Sequence, residues 1–283
     1  MTAPTPLELR VGVLAVSVLH DLDLLPGDDG VVLTGVQDVD VSWWECRRAL
    51  AGALARTELG RERLARWLLI RRWLADRPLD ELAERARPVG TPVEHVDHPG
   101  LDWIRARVLG DSLDLGLGFV GLDPARPDDV VIVPQGALVA AGLSTVADAW
   151  WAGALDYLED MGTMAAARYA RTPEAPLKPM GDCDVVTLLA SRMLRGALCA
   201  AAGGMRPVAV PMRSRGWLDL SRIDPAFSTA AAAATAPAER GFDRPLLVTA
   251  EEVVMVGSGG KPAEIVLRDP APDTPWVRDV LYR

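Results

Sequence analysis

Two adjacent glycines, Gly203 and Gly204, separate stretches of unlike hydrophobic period, and that change limits the fold more than any other feature of the chain. Upstream, apolar residues recur at the three- and four-residue spacing of helices. Downstream, the runs are short and rich in valine: Met205 to Met212, Leu246 to Thr249 and Val253 to Val256, each bounded by turn-forming residues. Helices followed by short strands specify an α+β class, with a helix-rich N-terminal two-thirds packed on a mainly antiparallel C-terminal sheet. With 283 residues, 49% of them hydrophobic, the chain can bury one large core or two smaller ones. The proline-rich run RTPEAPLKP is the natural linker, giving a mixed region over 1–172 and a cysteine-helix-and-sheet region over 173–283, or one compact domain.

Near the N-terminus, Val11 to Leu19 is a short apolar run and reads as a strand buried on both faces. It is too short to span a membrane and lacks a basic leader, so no signal or anchor is expected in it. The turn LPGDDG and the strand VVLTGV follow. Asp38-Val39-Asp40-Val41-Ser42 resembles the nucleophile loop of haloacid-dehalogenase-like phosphatases, but Gly35 and Gln37 interrupt the strand such a loop needs, and a strand-to-helix turn accounts for it better. Ser42 and Glu45 have the spacing of a capping box, which predicts a helix from Trp43. A second helix is expected over 61–76, with Leu64, Trp67, Leu68 and Ile70 on its apolar stripe, and a third after Pro78, stopped by Pro88.

Between Pro88 and Pro99, Glu94, His95, Asp97 and His98 crowd together, but without a scaffold to hold three or four ligands the segment reads as a connecting loop and no metal is expected. Leu101 to Leu109 reads as a helical turn or two. In LDLGLGFVGL the alternation of leucine with glycine or aspartate predicts a strand whose glycines admit another backbone. A second strand, VVIVP, and a long helix from about Thr145 to Tyr169, capped by Ser144, complete this region.

The chemistry concentrates in residues 177–227. Asp182-Cys183-Asp184 precede VVTLLASRMLRGALCAA, read as one long helix closed by Gly203-Gly204. A cysteine at a helix start can gain thiolate character from the exposed N–H groups, whereas flanking aspartates oppose it. Cys183 is therefore either a nucleophile or a small buried side chain. Gly181, Cys183, Arg192, Arg195, Gly204, Arg206, Pro207, Val208, Gly216, Trp217, Asp224 and Pro225 together resemble the transglutaminase-like branch of the papain-type cysteine enzymes, over about fifty of 283 residues. The resemblance implies an α+β core with Cys183 as the attacking group, paired with a histidine on the strands that follow. No histidine follows His98 in this chain, and Arg215-Gly216-Trp217 stands where it is expected. The resemblance thus implies a catalytically degenerate core, and by this reading the chain is a binding or scaffold protein. The alternative is a cysteine-dependent acyl-transfer or amide-hydrolysing enzyme, with Cys183 and Asp182 in catalysis and Arg192, Arg213 and Trp217 contacting the ligand.

Composition narrows the partners. The net charge of −9 opposes a general nucleic-acid surface, leaving a small molecule or a protein. Positive charge is almost all arginine, since Lys178 and Lys261 are the two lysines. Three scattered cysteines form neither a disulfide framework nor a C-x-x-C pair, so a reducing cytoplasm is expected, with no cofactor. Beyond Phe227 an alanine-rich run, a glycine hairpin at GSGGK leading to Ile265-Val266-Leu267, and a C-terminal PWVRDVLYR that docks on the body close the chain.

Overall fold

The computed structural model describes residues 6–95, 98–123, 126–173, 175–218, 220 and 226–255. Their class is α+β. In chain order the elements are α1 (Pro6–Leu19), β1 (Leu24–Pro26), β2 (Gly30–Leu33), β3 (Val39–Ser42), α2 (Trp43–Ala49), α3 (Glu58–Ala75), α4 (Leu79–Arg85), β4 (Ala86–Pro92), β5 (Arg105–Val108), β6 (Leu113–Phe119), β7 (Val131–Ile132), α5 (Gln135–Ala140), α6 (Ser144–Arg171), α7 (Val185–Leu188), α8 (Arg192–Ala200), β8 (Met205–Met212), β9 (Arg215–Trp217), α9 (Phe227–Ala234), β10 (Leu246–Thr249) and β11 (Val253–Met255). The chain forms two units. The first runs to Ala86 and resumes over Gly118–Gly153, and the second takes Arg87–Leu117 and continues from Ala154. The division thus differs from a single boundary near residue 172: the crossings fall inside the regular elements β4, β6 and α6 and not in a linker between elements.

In the first unit, β1, β2 and β3 form an antiparallel sheet whose paired Val31–Val41 and Leu33–Val39 turn inward. The capping box at Ser42 forms as expected: the Glu45 backbone N–H donates to Ser42 Oγ, and the Ser42 backbone N–H donates to Glu45 Oε2 at 2.9 Å. Val11 to Leu19, expected as a strand, belong to helix α1. Leu9, Val13 and Val16 are buried and recur at helical spacing, whereas Val11, Leu14 and Val18 on the opposite side are exposed. With apolar residues on both faces the period is hidden, which is why a short apolar run did not distinguish helix from strand. α1 packs on α3, and Gly12 lets it lie close against the turn before that helix, since a Cβ there would fall 2.7 Å from Ala55 Cβ. Trp73, Phe119 and Trp150 meet edge to face, with ring centroids 5.6 and 5.7 Å apart.

The second unit is built on an antiparallel sheet in the order β11-β10-β8-β9, with α7, α8 and α9 packed on β8. β8 coincides with the strand expected over Met205–Met212. Residues 105–108, expected as part of a helix, are strand β5. The reason lies across the sheet: Arg105 and Arg107, two apart, both reach Asp114 of β6, which a helix would not allow. The segment 88–92, expected as loop, belongs to the largely buried strand β4. In β6, a Cβ on Gly116 would meet the Trp103 ring at 2.3 Å, so glycine there does admit a close neighbour. The long helix expected after Cys183 is two helices. The first stops at Leu188 and Ser191 caps the second, its Oγ accepting from Leu194 N–H at 3.3 Å while Glu159 of α6 accepts from the Ser191 hydroxyl at 2.7 Å. The GSGGK hairpin, Ile265-Val266-Leu267, Asp224-Pro225 and the C-terminal segment lie outside the described residues.

Candidate functional site

Cys183 lies in a tight loop between α6 and α7, within the second unit. Met180 and Cys183 exchange backbone hydrogen bonds at 3.0 and 3.1 Å, and Gly181 turns the chain with φ of +54°. A side chain at Gly181 would strike Tyr157 Oη, so glycine lets the loop lie directly on α6. Asp184 is the N-cap of α7, accepting from Thr187 N–H at 2.7 Å. Cys183 therefore stands one residue outside the helix, with its side chain fully buried at 0% exposure.

Its two neighbours are held by an arginine each. Asp182 accepts from Arg87 Nε of β4 at 2.6 Å and from Tyr157 Oη of α6 at 3.2 Å, while its own N–H donates to Tyr157 Oη at 3.0 Å. The Arg87 guanidinium also covers the Tyr157 ring, 4.3 Å from its centroid. Asp184 accepts from Arg213 Nη1 at 2.6 Å, and that nitrogen also donates to the Gly90 carbonyl at 2.8 Å. The Gly90 N–H donates in turn to Thr187 Oγ1 at 2.8 Å. Two carboxylates and two guanidiniums balance around the sulfur, on side chains all partly shielded from water.

The electrostatics keep the thiol protonated. Burial pushes Cys183 up to about 12, the charges of Asp184 and Asp182 add to the rise, and Arg87 opposes it. Burial, together with Asp182 and Cys183, likewise raises the Tyr157 phenol against the pull of its backbone hydrogen bond and of Arg87. No imidazole is among the charges that act on the sulfur. His98 is engaged elsewhere: its Nε2 lies 2.9 Å from Asp114 Oδ2, and its Nδ1 accepts the Gly100 N–H at 3.1 Å. A neutral thiol without a base adjoining it is a weak nucleophile.

Of the residues named from sequence, the structure brings together Asp182, Cys183 and Arg213, and it sets Arg192 and Trp217 in other surroundings. Arg192 opens α8 with an exposed side chain, its backbone N–H donating to Glu159 Oε1 at 3.0 Å. Trp217 packs edge-on against Phe227, centroids 5.1 Å apart, under the Arg215 guanidinium. Arg195 is buried: it donates to the carbonyls of Leu189 and Ala190 at the end of α7 and to that of Ala250, and burial lowers it to about 10. Arg87, Tyr157, Gly90 and Thr187 were missed. Their chain separations from the loop residues they bind reach 95, and no local pattern records such a pairing.

Among the described residues no group of three or more His, Cys, Asp or Glu is placed to hold a metal ion, and Asp97 lies outside them. Among the described residues, too, no helix is long and apolar enough to cross a membrane. No protein-family model matches the chain, and no curated protein and no solved structure matches it.

Proposed function

We propose that this chain is a non-catalytic binding or scaffold protein of the cytoplasm, built on a transglutaminase-like core whose cysteine has become a packing residue. One observation carries the reading: the Cys183 sulfur is sealed from solvent, and burial together with two adjoining carboxylates raises its pKa to about 12. A nucleophile needs the opposite, exposure and a lowered pKa. The surrounding groups support a structural use of the loop, since each aspartate is bound by an arginine from another element and Asp184 caps α7. The partner is a small molecule or a protein, which the net charge of −9 favours over nucleic acid. The test is alkylation of the native protein by iodoacetamide across pH, with the labelled cysteine identified by mass spectrometry. Cys183 should remain unlabelled up to pH 9 and react only after denaturation. Labelling of folded Cys183 with a half-point well below that of a free thiol would instead establish the acyl-transfer enzyme.

A further inference from the structure

Three cations of the second unit gather where α6 ends, and among the described residues no carboxylate pairs with them. Arg168 and Lys178 line a cleft of about 310 Å³, open to solvent, between the last turns of α6 and residues 175–180. Tyr169, 5% exposed, lines it as well, and Arg206 of β8 donates through Nη1 to the Tyr169 hydroxyl and sets its guanidinium over the Tyr169 ring. We propose that this cleft binds an oxyanion, the carboxylate or phosphate group of a small organic molecule, between Arg168, Lys178 and Arg206. The site gives the binding protein proposed above its ligand class, and it rests on that reading in taking the ligand as held and not converted.

The donors select the charge. Among the described residues Arg206 Nε is buried without a hydrogen-bond acceptor, and the Tyr169 hydroxyl, which accepts from Arg206, has no acceptor for its own hydrogen. No aspartate or glutamate lines the cleft among the described residues. The carboxylates of the neighbouring loop are already taken, Asp182 by Arg87 and Asp184 by Arg213. The end of α6 offers little more, because the N–H and Oγ1 of Thr172 both donate to the Arg168 carbonyl at 3.2 Å. A set of donors that lacks acceptors is matched by an anion, and guanidinium groups suit the paired oxygens of a carboxylate or phosphate. The apolar wall selects the rest of the molecule. Pro176, Leu177 and Met180 share the cleft with the cations, so a hydrocarbon or aromatic group attached to the anion is covered when its head group binds.

NMR titration of the isotope-labelled full chain at low ionic strength tests the site with two probes, inorganic phosphate and benzoate. The backbone amides of Tyr169, Thr172, Leu177 and Lys178 should shift to saturation with at least one probe, with a dissociation constant on the order of 1 mM. Tighter phosphate assigns a phosphate head group and tighter benzoate a carboxylate on an apolar body, and either result supports the site. The double variant Arg168→Gln with Lys178→Gln, at two exposed positions, should weaken binding by about tenfold with the remaining spectrum unchanged. Arg171→Gln, exposed in the last turn of α6 but not lining the cleft, should leave binding as it is. Shifts that do not saturate by about 30 mM of either probe, an unchanged constant in the double variant, or an equal loss in Arg171→Gln overturns the proposal. Failure here is distinct from failure of the binding reading. An unlabelled Cys183 with no saturable shift defeats the cleft alone, whereas a reactive Cys183 defeats that reading and leaves the titration to decide whether the anion binds.

Discussion

Replacing Cys183 by alanine should flatten the alkaline limb of the stability curve. In the fold the thiol is held at about 12, whereas its ordinary value is 9.0. Between those values the unfolded chain releases the proton and the folded chain retains it, so the native state binds more protons and stability falls as pH rises. The contribution is fully present below the unfolded value and disappears as pH climbs towards the folded one. At pH 10, one unit above the ordinary value, the loss from this thiol is about 1 kcal/mol relative to pH 7. Cys46 is also raised to about 12, by burial and then by Glu45, and contributes a similar loss that remains in the variant. Urea unfolding of wild type and Cys183→Ala at pH 7 and pH 10, under reducing conditions, isolates the effect. The cost of the missing sulfur is the same at both pH values, and other titrating groups cancel between the two proteins. The wild type should lose about 1 kcal/mol more than the variant over this interval. Equal losses would mean that Cys183 ionises in the fold as it does in solution, and the packing role assigned to it would fail.

Three further outcomes follow from the second unit. Arg195→Met should destabilise by about 3 kcal/mol in urea unfolding, because the carbonyls of Leu189, Ala190 and Ala250 lose a buried charged donor. Asp114, with 0% side-chain exposure, is raised by burial, but hydrogen bonds and charges from Arg107 and Arg105, with the bond to His98, outweigh this and hold its carboxyl below the ordinary value. Its stabilisation is present above the unfolded carboxyl value and is lost as pH falls through the lower folded value, so Asp114→Asn should cost stability at pH 7 and show a flatter melting-temperature profile below pH 4. Gly162→Ala should cost about 1–3 kcal/mol by the same unfolding assay, because the new methyl would fall 2.4 Å from Ser191 Cβ and separate α6 from the start of α8.

What could be read in advance was local. Ser42 and Glu45 announce α2 because both partners of the capping box lie within one turn, and β8 and β6 show themselves through valine and leucine in runs bounded by glycine or turn residues. What could not be read depends on distant partners. Helix α1 looks like a strand because apolar residues cover both of its faces. Strand β5 takes its conformation from pairing with β6, against a helical look at Leu101–Leu109. The break between α7 and α8 rests on Glu159, 32 residues before Ser191. The site divides in the same way: Asp182, Cys183 and Asp184 stand together in the chain, but Tyr157 and Arg87 come from 25 and 95 residues away.

The three crossings of the chain between its units govern what a ribosome delivers at each moment of synthesis. The first unit stays incomplete until Gly153 has emerged, and by then Arg87–Leu117 has been waiting for the rest of its own unit, which begins only at Ala154. A nascent chain stalled anywhere between Leu117 and Gly153 possesses neither unit whole. A premature stop between Leu117 and Gly153 therefore leaves both units incomplete, whereas one beyond Gly153 leaves the first unit with all of its segments.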